Sequence, residues 1–272
     1  MTQGKTERTV ALGVVSKPVL YIFAISHYCE KARWALDYLD IDYEVSYLPP
    51  GFHLLIAEKL GAPGSSLPIL VANGQVVQGS AAIVDWAAAA GAKHLTPNTR
   101  REACLEVEKR LDDGMGVHVC DYCSEALVDH SETVRPIFAT DLTLFHKMLL
   151  SGTWRAVRKG MIDLMDPGPE QGQDSKRIVE GELSCLDGLL SNGRRFLVGE
   201  QFSRADMTAV SLLAPLLAPL TSPNEHPPHA DLRLPRRLAA DLVSWENRPS
   251  INAVREIYGQ YRLVPRAVAK II

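Results

Sequence analysis

Ser26-His27-Tyr28-Cys29-Glu30-Lys31-Ala32-Arg33-Trp34-Ala35-Leu36 stands between the apolar run Val19–Phe23 and an amphipathic run whose apolar positions are Ala32, Ala35, Leu36 and Leu39. The first run has the length and composition of a buried strand, and the second has helical spacing. A strand that gives way to a helix at Ser26 puts a hydroxyl and a thiol, three residues apart, at a helix start. The first-turn N–H groups and the helix dipole favour negative charge there, so the junction suits the binding or activation of a sulfur anion.

Outward from this junction the order of elements is β-α-β-α-β-β-α. Tyr43–Tyr47 reads as a second strand. After a stretch without clear periodicity, Leu67-Pro68-Ile69-Leu70-Val71 and Gln75-Val76-Val77 flank Ala72-Asn73-Gly74, and an Asn-Gly pair between two β-rich runs predicts a tight hairpin. Ser80 is expected to cap an alanine-rich helix running to Ala90. Such an order describes a small mixed sheet with helices on its faces.

Past the Gly-, Pro- and Asn-bearing linker Gly91–Asn98, strand signals largely vanish. Arg100–Leu127 is helical in period, Pro136–Met165 holds one or two helices, and Asp166–Gln173 reads as a loop before the periodic Lys176–Leu190. Ser203-Arg204-Ala205-Asp206 is a capping-box start for an apolar helix to Leu220. A proline-rich loop, Pro223–Pro235, then precedes helices at Leu238–Trp245 and Ile251–Tyr261. The expected organisation is an α/β domain over 18–91, an all-helical domain over 99–262 with an enlarged segment around 129–173, and a mobile extension at 1–17.

The 272 residues are 46% hydrophobic and 22% charged with a net charge of −3, which excludes disorder over the whole chain and disfavours nucleic acid or an anionic membrane as partner. A small molecule fits better. Met207–Leu220 is too short to span a bilayer and carries Pro215 and Pro219. Five scattered cysteines and no recognisable signal peptide suggest reduced thiols in a cytoplasm. Cys120 and Cys123 share a helix face, but two thiols do not make a metal site, and no metal is expected.

Four segments, Ser26–Leu36, Ser66–Leu70, Ser80–Ile83 and Phe196–Asp206, together resemble the soluble glutathione transferase superfamily, in which a thioredoxin-like domain precedes an all-α domain. The resemblance implies glutathione as co-substrate, a small apolar electrophile as its partner in a detoxification-type conjugation, and a homodimer. It puts Ser26 where the family stabilises the glutathione thiolate, with Tyr28 beside it. Tyr21 is one residue out of phase with the family's tyrosine and reads as a strand residue. Leu67, held by a cis Pro68, would pair its backbone with the peptide-like ligand. Ser80 would hold the γ-glutamyl carboxylate. The family's acidic or amide residue before that serine is replaced by Gly79, with Gln78 one position earlier. His53, and less directly Lys59, fall where relatives contact the glycine carboxylate.

Alternatives to each assignment are plain. Ser26 and Ser80 also suit helix caps, and Cys29 suits a small hydrophobe packed under the first turn. Cys29 could instead form a mixed disulfide with glutathione, which makes thiol transfer or reduction the second function. A non-catalytic scaffold that keeps the fold is the third, and Gly79 is the feature that favours it. The surplus at Asp129–Gln173 brings Phe138, Phe145, His146 and Trp154, which suit either a wall for the co-substrate or an extended subunit contact.

Overall fold

A computed structural model describes residues 17–91, 93–127, 129–165, 168–217, 234–262 and 268–269. The extension at 1–16 and the proline-rich segment from 223 to 233 lie outside the described residues. Strand β1 (Val19–Ile22) pairs parallel with β2 (Glu44–Tyr47) and antiparallel with β3 (Ile69–Ala72), which pairs antiparallel with β4 (Gln75–Gln78). Asn73 and Gly74 both have positive φ, 51° and 76°, as the short hairpin between β3 and β4 demands. Helices α1 (His27–Tyr38), α2 (Phe52–Leu60) and α3 (Ser80–Ala90) complete the α/β part. This is the thioredoxin-like arrangement expected.

Helix α2 lies inside the stretch that showed no clear period. Its outward residues Leu54 and Leu55 are exposed, so its apolar pattern does not mark a single face. It ends at Gly61, whose φ of 67° is the left-handed conformation that closes a helix without steric cost.

Among the described residues the regular structure of the remainder is helical save for a two-residue strand. Helix α4 (Arg101–Arg110) runs through a π-turn (Leu111–Gly116) into α5 (Val117–Leu127), where the period predicted one regular helix. Helices α6 (Ser131–Phe138) and α7 (Leu144–Met165) follow. Helix α8 (Pro169–Leu190) begins inside the expected 166–173 loop: Pro169 occupies the first turn, where its missing N–H leaves no bond unmade. Helix α9 (Arg204–Leu213) ends short of Leu220 and tightens into a 3₁₀ turn at Ala214–Leu216, with Pro215 at its start. Helices α10 (Arg236–Trp245) and α11 (Pro249–Tyr261) close the bundle, and β5 (Val268–Ala269), which no pattern announced, adds a parallel edge beside β2.

One apolar core runs through both parts. Leu20, Ile22, Trp34 and Leu36 share it with Leu183, Met207, Val210 and Leu212. Every residue of α9 is buried, and its start is held by the capping box read from the sequence: the Asp206 carboxylate accepts from the Ser203 N–H at 2.9 Å and its hydroxyl at 2.8 Å, and from the Leu197 N–H at 2.7 Å. Helix α1 is enclosed on both sides. Lys31 pairs with Glu108 at 2.8 Å and Asp112 at 2.6 Å, and Glu108 pairs on with Arg204 at 2.5 Å, which reaches Asp85 at 2.6 Å. On the other face Arg262 bonds Glu30 at 2.6 Å and Asp37 at 2.8 Å, while the Trp34 indole N–H donates to the Tyr261 carbonyl at 3.1 Å.

Candidate functional site

Strand register brings the candidate residues to one end of the sheet. Tyr21 faces Ile69, and Ile69 faces Gln78, so the chain beyond each pair sets the Phe23–Ser26 turn, the Leu67–Pro68 peptide and the Gly79–Ser80 helix start side by side. The Leu67–Pro68 bond is cis. The Gly79 N–H donates to the Pro68 carbonyl at 3.0 Å, whereas the N–H and C=O of Leu67 make no hydrogen bond among the described residues. A backbone donor and acceptor are thereby left at the sheet end for an added peptide-like partner.

Ser26 is the N-cap of α1, its backbone extended at φ −75° and ψ 123° and its Oγ accepting the Cys29 N–H at 3.3 Å. A hydroxyl that accepts from the first turn still carries a proton to donate, and the Cys29 thiol is within its hydrogen-bonding reach. Glu30 in that first turn is committed to Arg262 and Tyr258. Cys29 is 1% exposed, and burial pushes its thiol up to about 11. It packs in the core.

Tyr28 and His27 turn toward the helical part. The Tyr28 hydroxyl donates to the Asp112 carbonyl at 2.7 Å, and burial raises its pKa. His27 Nε2 lies 3.1 Å from the Gly116 carbonyl, and burial drives its pKa down to about 4, so the ring is neutral and Nε2 carries the donated proton.

Ser80 does not cap α3. It is the first residue of the helix, 6% exposed, and Gly79 is the N-cap, with φ 93° and ψ 146°. The expected cap is corrected for a physical reason: the chain turns from β4 into α3 through a conformation that only glycine adopts freely, so the boundary falls one residue early. The Gln78 amide is occupied elsewhere. Its Nε2 donates to the Gly64 and Ser66 carbonyls at 2.9 and 2.7 Å, and its Oε1 accepts the Gly64 N–H at 2.8 Å, so it clasps the 64–66 loop.

His53 accepts the Gly51 N–H at 3.0 Å through Nδ1, and burial lowers its pKa, so it offers a neutral polar edge. Lys59 is exposed near the end of α2. The His53 ring stands edge-on to Phe23, 4.8 Å between centroids, and Phe23 is edge-on to Phe138 at 6.4 Å, which meets Trp154 at 6.5 Å. The enlarged segment thus lays Phe138 of α6 beside Phe23 in the turn that leads to Ser26, with Trp154 of α7 against Phe138. Phe23 was not singled out from sequence, since an aromatic at a strand end reads as core. The π-turn was also missed, although two glycines at 114 and 116 inside a helical pattern were a signal. Among the described residues no cluster of three or more potential ligands for a metal ion occurs, and no helix is long and apolar enough to cross a membrane.

Residues 20–93 match the family model of the glutathione S-transferase N-terminal domain. The chain is similar in structure to glutathione transferase GSTFuA3 from Phanerochaete chrysosporium, with a TM-score of 0.60 at 16% identity over 92% of this chain and 99% of that one. It is similar to beta-etherase LigF from Sphingobium sp. strain SYK-6, with a TM-score of 0.57 at 19% identity over 89% and 99%. A third likeness is to the glutathione S-transferase CsGST63524 of Ceriporiopsis subvermispora, solved in complex with glutathione, with a TM-score of 0.54 at 16% identity over 92% and 99%. A search of curated proteins finds no match. The match to the glutathione S-transferase N-terminal domain is thus confined to residues 20–93, and over its length the chain has the fold of these glutathione transferase structures.

Proposed function

We propose that this protein is a glutathione transferase that conjugates the glutathione thiolate to an apolar electrophile. The observation that carries the reading is the set at the sheet end: the Ser26 N-cap, the open backbone of Leu67 beside cis Pro68, and the helix start at Ser80. Ser26 donates its hydroxyl proton to the sulfur, and the first N–H groups of α1 add their positive field, which lowers the thiol pKa and raises the share of nucleophile. The thiolate forms a C–S bond with the electrophilic carbon while the leaving group departs with its bonding electrons. Leu67 pairs with the peptide backbone, Ser80 receives the γ-glutamyl carboxylate, and His53 contributes a neutral polar contact at the glycine end. Phe23, Phe138 and Trp154 supply the apolar side. The protein is expected to act in the cytoplasm as a homodimer.

Burial of Cys29 argues against the thiol-transfer alternative, which asks for a thiolate where the thiol is pushed up to about 11. The scaffold alternative is favoured by Gly79 and by the occupied Gln78 amide, which leave the γ-glutamyl amine without a family-type partner. Calorimetry with glutathione separates them. Binding in the wild type, weakened by Ser80→Ala, together with aryl-halide conjugation in excess of mixed-disulfide reduction, is the expected result. No heat at millimolar glutathione overturns the enzyme reading in favour of the scaffold, and reduction that disappears in Cys29→Ala overturns it in favour of thiol transfer.

A further inference from the structure

We propose that Tyr28 and His27 are positioning residues for the sulfur site, acting as a latch that ties the start of α1 to the π-turn of the α4–α5 helix. The inference rests on the proposed thiolate site at Ser26. A π-turn widens the helix and takes carbonyls out of the regular ladder, and such turns recur at functional sites. Here two of its carbonyls receive side chains from the two residues that follow Ser26: Asp112 takes the Tyr28 hydroxyl at 2.7 Å and Gly116 takes His27 at 3.1 Å. Both contacts span more than eighty residues of chain, so they fix the helix start relative to the other part of the fold.

Sterics give an independent argument. A Cβ on Gly116 would lie 2.5 Å from the Tyr28 hydroxyl oxygen, 2.9 Å from its Cζ and 3.1 Å from Leu212, whereas a Cβ on Gly114 in the same turn meets nothing within 4 Å. Gly116 is therefore needed for the fit of Tyr28. The charged groups around the Tyr28 hydroxyl are Asp112, Asp113 and Asp121, with the Cys120 thiol, and Lys31 neutralises Asp112 from one turn further along α1. A hydroxyl facing carboxylates keeps its proton, so it remains a donor to the carbonyl across the neutral range.

The position of Ser26 Oγ and of the first N–H groups then depends on this latch, because a displacement of about 1 Å is enough to weaken a preorganised donor set. The test is to titrate the thiol of bound glutathione by its ultraviolet thiolate absorbance in wild type, Tyr28→Phe, Gly116→Ala and Gly114→Ala. Tyr28→Phe and Gly116→Ala are each expected to raise the bound thiol pKa by about one unit, which is about tenfold less thiolate below that pKa and little change above it. Glutathione affinity should stay within about threefold, since Tyr28 and Gly116 act through Ser26 and not on the peptide. Gly114→Ala should titrate as wild type. Tyr28→Phe keeps the ring, so it carries the test if Gly116→Ala does not fold. If the two variants lose thermal stability while the thiol titrates unchanged, the latch is structural only and the proposal is overturned. If wild type binds no glutathione, the proposed function itself fails, and this is seen before any variant is compared.

Discussion

Ser26 is the residue to which the proposed chemistry assigns the thiolate, and its place at the start of α1 is legible in sequence because a serine between a strand run and a helical run suits an N-cap. Ser26→Ala is expected to slow aryl-halide conjugation by about ten- to a thousandfold, as for loss of one positioned donor, with a smaller change in glutathione affinity. Unchanged turnover in that variant would remove Ser26 from the site. Two buried groups set opposite pH dependences. His27 titrates at about 4 in the fold against 6.5 when free, so the unfolded chain binds the extra proton and stability falls as pH drops through that window. Asp206, pushed up to about 6 by burial, does the reverse, since its folded form takes the proton first and gains stability as pH falls from about 7 toward 4. From pH 7 to 5 the His27 contribution amounts to a loss of about 2 kcal/mol and the Asp206 contribution to a gain of about 1 kcal/mol. Urea unfolding at the two pH values should therefore show His27→Gln gaining stability on acidification relative to wild type. A His27→Gln slope equal to that of wild type contradicts the buried neutral imidazole.

At the level of elements, what sequence could show was what local chemistry decides. The Asn73-Gly74 hairpin and the Ser203–Asp206 capping box were readable because their residues act on their own backbone within four positions. Asp206→Ala is expected to cost about 1 to 2 kcal/mol through the lost cap bonds, with activity per folded molecule intact; a thermal melt identical to wild type would refute it. What sequence could not show depends on distant partners. The start of α3 at Ser80 follows from Gly79 at φ 93°, which periodicity does not encode, and α8 begins at Pro169 inside a Gly- and Pro-rich run because tertiary packing buries Gly172 and Ser175. A Cβ at position 79 meets no atom within 4 Å, yet Gly79→Ala should lower stability by about 1 to 2 kcal/mol from backbone conformation alone, measurable by chemical denaturation. A neutral result would mean that the turn relaxes. The π-turn belongs to the same class: the side chains that its carbonyls accept come from α1, more than eighty residues earlier.

For the whole molecule, the two parts share one apolar core, and buried charges cross it. Glu108 holds both Lys31 and Arg204, and all three side chains are at most 3% exposed. Glu108→Gln keeps the shape and removes the charge; since Lys31 retains Asp112 and Arg204 retains Asp85, the expected loss is near the lower end for a broken buried pair, about 3 kcal/mol in equilibrium unfolding. A loss below about 1 kcal/mol would show that water reaches the network. The class of fold, an α/β part before a helical one, was plain from where strand signals stop. The place of α6 and α7 was not, because the contacts of Phe138 and Trp154 join segments that no local pattern relates.

Arg262 stands just beyond α11, yet it clamps Glu30 and Asp37 across separations of 232 and 225 residues. On the ribosome this has a temporal meaning. The helix capped by Ser26 is synthesised well before residue 262, so a nascent chain stalled before that residue has Arg33 beside Glu30 but lacks the Arg262 guanidinium that bonds both Glu30 and Asp37. Protease protection of the Ser26–Tyr38 region in stalled chains should accordingly appear only once Arg262 has cleared the exit tunnel.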